Sequence, residues 1–153
     1  MRMKRLLFMA LLFGGVTISA QEPEELKVQS TIEAFFDGFH KQDSMLIKQT
    51  VSDGIIAQTI GRKKDGSTAM RTEDFGRFLK SIVSIPDSVN FKEKLLSFNI
   101  QVDGAMANAW TPYEFWYNDA FSHCGVNSFQ LFKDGEDWKI IYLIDTRRKK
   151  GCK

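Results

Sequence analysis

Apolar positions along the chain change period once, and the change separates a helical part from a strand part. Val28, Ile32, Phe35, Phe36 and Phe39 recur at spacings of three and four, laying one stripe along a helix that Pro23 is placed to open and that ends near Gln42. Asp43 or Ser44 can cap a short second helix through Met45, Leu46 and Ile47. Ile55 to Ile60 reads as a strand, and RKKDGS as the turn that returns it along a short strand ending before Thr72. Thr72, Glu73 and Asp74 form a helix start; Phe75, Phe78, Leu79, Ile82 and Val83 give that helix its stripe, and Pro86 stops it.

From residue 91 onward the period is two. Leu96, Phe98, Ile100 and Val102 alternate with Ser97, Asn99 and Gln101, and Asp103-Gly104 is a strong hairpin signal. Three further strands are predicted over roughly 105–117, 122–133 and 137–146, with Gly135 in the last tight turn. The order gives an α+β plan: a curved antiparallel sheet, ending in a four-stranded meander, with three helices gathered on one face.

Counting register through the turns assigns faces. With Asp103-Gly104 as a two-residue turn, Leu96, Phe98 and Ile100 share a face with Ala105, Ala107, Ala109 and Thr111, and small residues opposite large ones leave room. Continuing through 118–121 and 134–137 adds Tyr113, Phe115, Cys124, Val126, Ile141, Leu143 and Asp145 to that face. The other face then holds Trp110, Glu114, Trp116, His123, Phe129, Leu131, Trp138 and Ile140. Both faces are apolar, so one covers the helices and a pocket while the other needs a partner, expected to be a second copy in a homodimer through the sheet. Pro112 inside a strand marks an edge or a bulge; a bulge shifts the alternation by one and would bring Trp110 to the pocket side beside Tyr113.

The ends change the compartment. Arg2, Lys4 and Arg5 precede the apolar run Leu6 to Phe13 and then GGVTISA, which reads as an export signal over residues 1–20 that is too short to span a bilayer comfortably. The expected product is a soluble periplasmic or secreted domain over residues 21–153, a size that supports one core. Three of the 21 basic residues and none of the 19 acidic ones lie in the signal, so the remainder is slightly acidic and nucleic-acid binding loses its electrostatic basis. An exported chain with two cysteines meets an oxidising compartment, so Cys124 and Cys152 are expected to pair; the hairpin count puts Cys124 opposite about residue 147, within reach of a returning tail.

The element order, with the phrases WTPYEFWY, FSHCGVNSFQLF and DWKIIYLIDT, resembles the nuclear transport factor two-like superfamily of curved-sheet cones. Within it the likeness is to the group labelled lumazine-binding, related to the SnoaL-like domains, and it spans about residues 24–152. HCG, Trp138-Lys139-Ile140 and Asp145-Thr146-Arg147 follow that group's order and spacing. The resemblance implies a cone with a central pocket. It does not name a ligand, since the superfamily includes isomerases, dehydratases, cyclases and binding proteins.

Candidate chemistry collects at that pocket. Asp145 follows five apolar residues, and a carboxyl drawn out of water either accepts a proton or hydrogen-bonds a ligand; it can equally end the strand and cap the Thr146-Arg147 turn. His123 is the second candidate base, or an ordered hairpin residue bonded to Glu114. Trp110, Tyr113 and Tyr117 can stack on or orient a planar ligand, with Glu114 among them, and Tyr113, Trp110 and Arg147 are the expected partners of Asp145. His40, beside the Phe36 stripe, reads as a helix-edge residue. The histidines and cysteines lack metal-ligand spacing, and no phosphate loop or nucleophile motif is present, so neither metal nor cofactor is expected. The reading is an exported domain that holds a small apolar or aromatic molecule, with a cofactor-free isomerase or dehydratase using Asp145 or His123 as the alternative.

Overall fold

The computed structural model describes residues 22–152, and the expected export signal lies outside them. The elements run α1 (Glu24–His40), α2 (Ser44–Gln49), β1 (Val51–Arg62), β2 (Thr68–Glu73), α3 (Phe75–Val83), β3 (Phe91–Leu95), β4 (Asn99–Asp103), β5 (Met106–Tyr117), β6 (Ala120–Asp134) and β7 (Asp137–Thr146). The expected helices and hairpins are all present. Asp43 caps α2 by accepting from the backbone N–H groups of Met45 and Leu46, and Asp74 caps α3 by accepting from that of Arg77.

One seven-stranded sheet has the order β2-β1-β7-β6-β5-β3, with β4 continuing the β3 edge along β5. Its pairs are antiparallel except β1–β7, which is parallel, a departure from the all-antiparallel expectation. The sheet curls over α1, and Val28, Ile32, Phe35 and Phe36 pack with Ala107, Ala109, Phe129, Leu131 and Ile140 in one core. Small alanines on β5 leave the room that α1 fills.

Two local irregularities overturn the face count. Tyr117 pairs with Ala120 across a two-residue turn, Asn118-Asp119, whose φ angles of 47° and 60° are those of a primed hairpin turn. Ser122 is then an extra residue between the Trp116–Phe121 and Phe115–His123 pairs. The net slip of one residue turns β6 over, so that Phe129 and Leu131 face the helices with Tyr113, while Cys124 and Val126 belong to the other side. A second bulge at Ile141 lets Trp138 and Ile140, before it, and Leu143 and Asp145, after it, all face inward. Pro112 is not at a bulge. Register is continuous from Met106 to Phe115, and Pro112 lies opposite the break between β3 and β4, where no ladder partner needs its missing N–H.

These corrections place Phe129, Leu131 and Trp138 in the core, and the outer side of the meander carries Met106, Trp110, Val126, Phe132, Tyr142 and Ile144 beside Asn108, Ser128 and Gln130.

Cys124 and Cys152 form the expected disulfide, with Cα atoms 5.8 Å apart. Cys124 bridges to Arg148 through two backbone hydrogen bonds, one residue beyond the counted position because of the Ile141 bulge. The tail is thereby tied down directly after Arg147. Among the described residues no helix is long and apolar enough to cross a membrane.

Candidate functional site

Four neighbouring strands each contribute one inward polar residue at the same level of the sheet. Thr59 on β1 pairs with Asp145 on β7, Asp145 with Asn127 on β6, and Asn127 with Thr111 on β5. All four are buried. Such a row inside an apolar cone is costly unless each group finds a partner.

Asp145, 9% exposed, is held from two sides. Arg147 donates from Nε at 2.8 Å and Tyr113 donates from its hydroxyl at 3.2 Å, both to Oδ2. The Tyr113 hydroxyl also lies 2.9 Å from the carbonyl oxygen of Thr146. Gly125 makes this possible: a Cβ there would stand 1.7 Å from that carbonyl and 2.7 Å from the tyrosine ring, so the ring crosses β6 where only glycine leaves space. Burial, and then the Asp145 charge, push the Tyr113 phenol above its ordinary range, which keeps it a neutral donor.

A second carboxyl stands in the same cavity. β3 alternates Phe91, Glu93 and Leu95 inward against Lys92 and Lys94 outward, so its pleat delivers Glu93 to the interior. His40 on α1 fixes the strand by accepting the Glu93 backbone N–H at Nε2, 2.9 Å away. Asn127 donates from Nδ2 to Glu93 Oε1 at 2.7 Å. Burial pushes the Glu93 carboxyl up to about 7, against the Asn127 hydrogen bond that favours its charged form, and the Asp145 charge adds to the rise. The His40 imidazole is lowered, first by burial and then by Lys92, in keeping with its role as a neutral acceptor.

The two carboxyls close the polar end of a cavity of about 100 Å³. Its walls are Phe35, Phe36 and Phe39 from α1, Phe75 and Phe78 around α3, and Leu143. The Phe39 and Phe78 rings stack at 6.1 Å. Thr59 also lines the cavity; its residue is 2% exposed and its hydroxyl has no hydrogen-bond partner among the described residues. Arg147 borders the same space with its side chain 55% exposed. Among the described residues no three His, Cys, Asp or Glu side chains gather closely enough to hold a metal ion.

Of the residues singled out in the sequence, the structure brings together Asp145, Tyr113 and Arg147. Trp110 is 54% exposed on the outer face, Tyr117 is 49% exposed at the strand end, and Glu114 accepts from the Trp116 indole; none of the three lines the cavity. His123 stacks on Phe115 at 4.9 Å and meets the Tyr113 ring edge-on, outside the cavity lining. Burial, followed by Arg147, lowers its imidazole pKa. Glu93, Asn127 and Thr59 were not anticipated. The alternation of Phe91, Glu93 and Leu95 between lysines carried a strand signal for the first, and a correct β6 register would have found the second.

No protein-family description and no curated protein matches the chain. Solved structures do. An NTF2-like protein of unknown function from Pseudomonas putida KT2440 superposes with a TM-score of 0.66 at 12% identity, covering 84% of this chain and 89% of that one. A protein of unknown function with a cystatin-like fold from Nostoc punctiforme gives 0.63 at 12% identity over 82% and 91%. An NTF2-like protein with a cystatin-like fold from Novosphingobium aromaticivorans gives 0.61 at 10% identity over 84% and 85%. At these identities the likeness establishes architecture, and the chain has the NTF2-like, cystatin-like fold.

Proposed function

We propose that this chain is an exported binding domain that holds a small, mostly apolar molecule inside the cone, its polar edge turned toward Thr59, Glu93, Asn127 and Asp145. The observation that carries this reading is the buried Thr59 hydroxyl, without a partner among the described residues, on the wall of a cavity whose apolar part is mostly phenylalanine. A polar group so placed costs on the order of 1–3 kcal/mol unless something enters to pair with it. A cavity of about 100 Å³ restricts the enclosed part of the ligand to a small group. The Cys124–Cys152 bond fits an oxidising compartment.

The alternative isomerase or dehydratase needs Asp145 or His123 as a free base facing the ligand; Asp145 is tied to Arg147 and Tyr113 and His123 lies outside the lining, so neither placement supports that role. Native mass spectrometry of the chain purified from its own cells, beside Leu143→Trp, tests the reading. The wild type should retain a low-mass adduct that the cavity-filling variant lacks. Adduct-free protein in both samples would remove the proposal.

A further inference from the structure

Glu93 is an acidic group of the cavity with no cation in contact among the described residues, the Arg147 charge reaching it only at a distance. Asp145 is neutralised by Arg147 at 2.8 Å, whereas among the described residues Glu93 receives only the neutral amide of Asn127, at Oε1, and no side-chain or backbone donor at Oε2. Glu73 lines the same space and adds a further negative charge. Around them stand phenylalanine rings, whose faces carry the negative part of the aromatic quadrupole and attract cations. The buried Thr59 hydroxyl, unpartnered among the described residues, is a separate sign that a ligand completes this end.

Resting on the binding reading above, we infer that the ligand is a small organic amine, its ammonium group held by the Glu93 carboxylate and its apolar body enclosed by Phe36, Phe39 and Phe78. The Thr59 hydroxyl accepts a further ammonium hydrogen or pairs with a polar substituent. An amine supplies what Glu93 lacks, a cationic hydrogen-bond donor in contact with its carboxylate. A carboxylate ligand would set a further anion beside Glu93 and Glu73, and among the described residues the one cationic side chain lining the cavity, Arg147, already gives its Nε to Asp145.

Binding should also depend on pH. Glu93 faces Asp145 and Arg147 from β7 and its end, Tyr113 from β5, and Asn127 from β6, with His40 of α1 behind its backbone. With its carboxyl at about 7, Glu93 is charged at pH 8 and mostly protonated at pH 5.5, while a simple alkylamine stays protonated at both.

Calorimetric titration with 2-phenylethylamine, its neutral counterpart 2-phenylethanol and phenylacetate tests the inference on wild type, Glu93→Gln and Thr59→Val. At pH 8 the amine should bind wild type at least about tenfold more tightly than the alcohol. Glu93→Gln should erase that preference, and so should pH 5.5. Thr59→Val should weaken the amine while leaving the preference intact. Equal affinity for amine and alcohol, or tighter phenylacetate, overturns the amine assignment and leaves the binding reading standing. Failure of all three probes to bind at millimolar concentration defeats both.

Discussion

Glu93 shows how a single residue can hold stability against its own site. Its carboxyl sits at about 7 in the folded chain against an ordinary 4.5, so the fold prefers it protonated. The favourable contribution is complete below pH 4.5 and is lost as pH rises through 7, a difference on the order of 3 kcal/mol. Glu93→Gln keeps the shape and an oxygen for Asn127 while removing the charge. Denaturant unfolding at pH 8 should therefore find the variant more stable by up to about 3 kcal/mol, with the two proteins converging toward pH 4.5. A variant no more stable than wild type at pH 8 would show that Glu93 carries no such burden. Asp145 was legible in the sequence because an acid after five apolar residues stands out. Glu93 was not, because a glutamate between two lysines looks like surface until the pleat of β3 is known.

At the scale of elements, the helices and strand sequence could be read nearly in full, while the pairing could not. Helix stripes and caps are local signals, and they named α1, α2 and α3. The inward row of the meander depends on register, and Ser122 and Ile141 each insert one residue that no periodicity announces. The first count at Asp103-Gly104 was displaced by two residues, Val102 pairing with Ala107, and a shift of two preserves the faces. The tail is fastened in a way the cysteines did announce. Cys124–Cys152 closes a loop with a sequence separation of 28, and cutting it should lower stability by about 3.5 kcal/mol in the chain-entropy model. Cys152→Ser measured by denaturant unfolding checks this; an unchanged midpoint would mean that the Cys124–Arg148 backbone bridge suffices to hold the tail.

For the molecule as a whole, the cone is a consequence of α1 lying in a sheet whose central strands carry alanine where α1 packs and polar residues where it ends. The α1 start is moored by Glu24, which accepts from Lys133, Trp138 and Lys27 and is held at about 2 by those bonds in that order. The other end of α1 carries His40 to Glu93, so one helix ties the β6–β7 hairpin to the polar end of the cavity. Ligand should enter this interior rather than settle on the exposed aromatics Trp110 and Tyr117. Chemical-shift mapping of isotopically labelled protein during titration with 2-phenylethylamine at pH 8 separates the two. Saturable shifts are expected at Thr59, Glu93, Asn127 and Leu143, with Trp110 and Tyr117 unmoved. Shifts confined to Trp110 and Tyr117, with the interior silent, would contradict it.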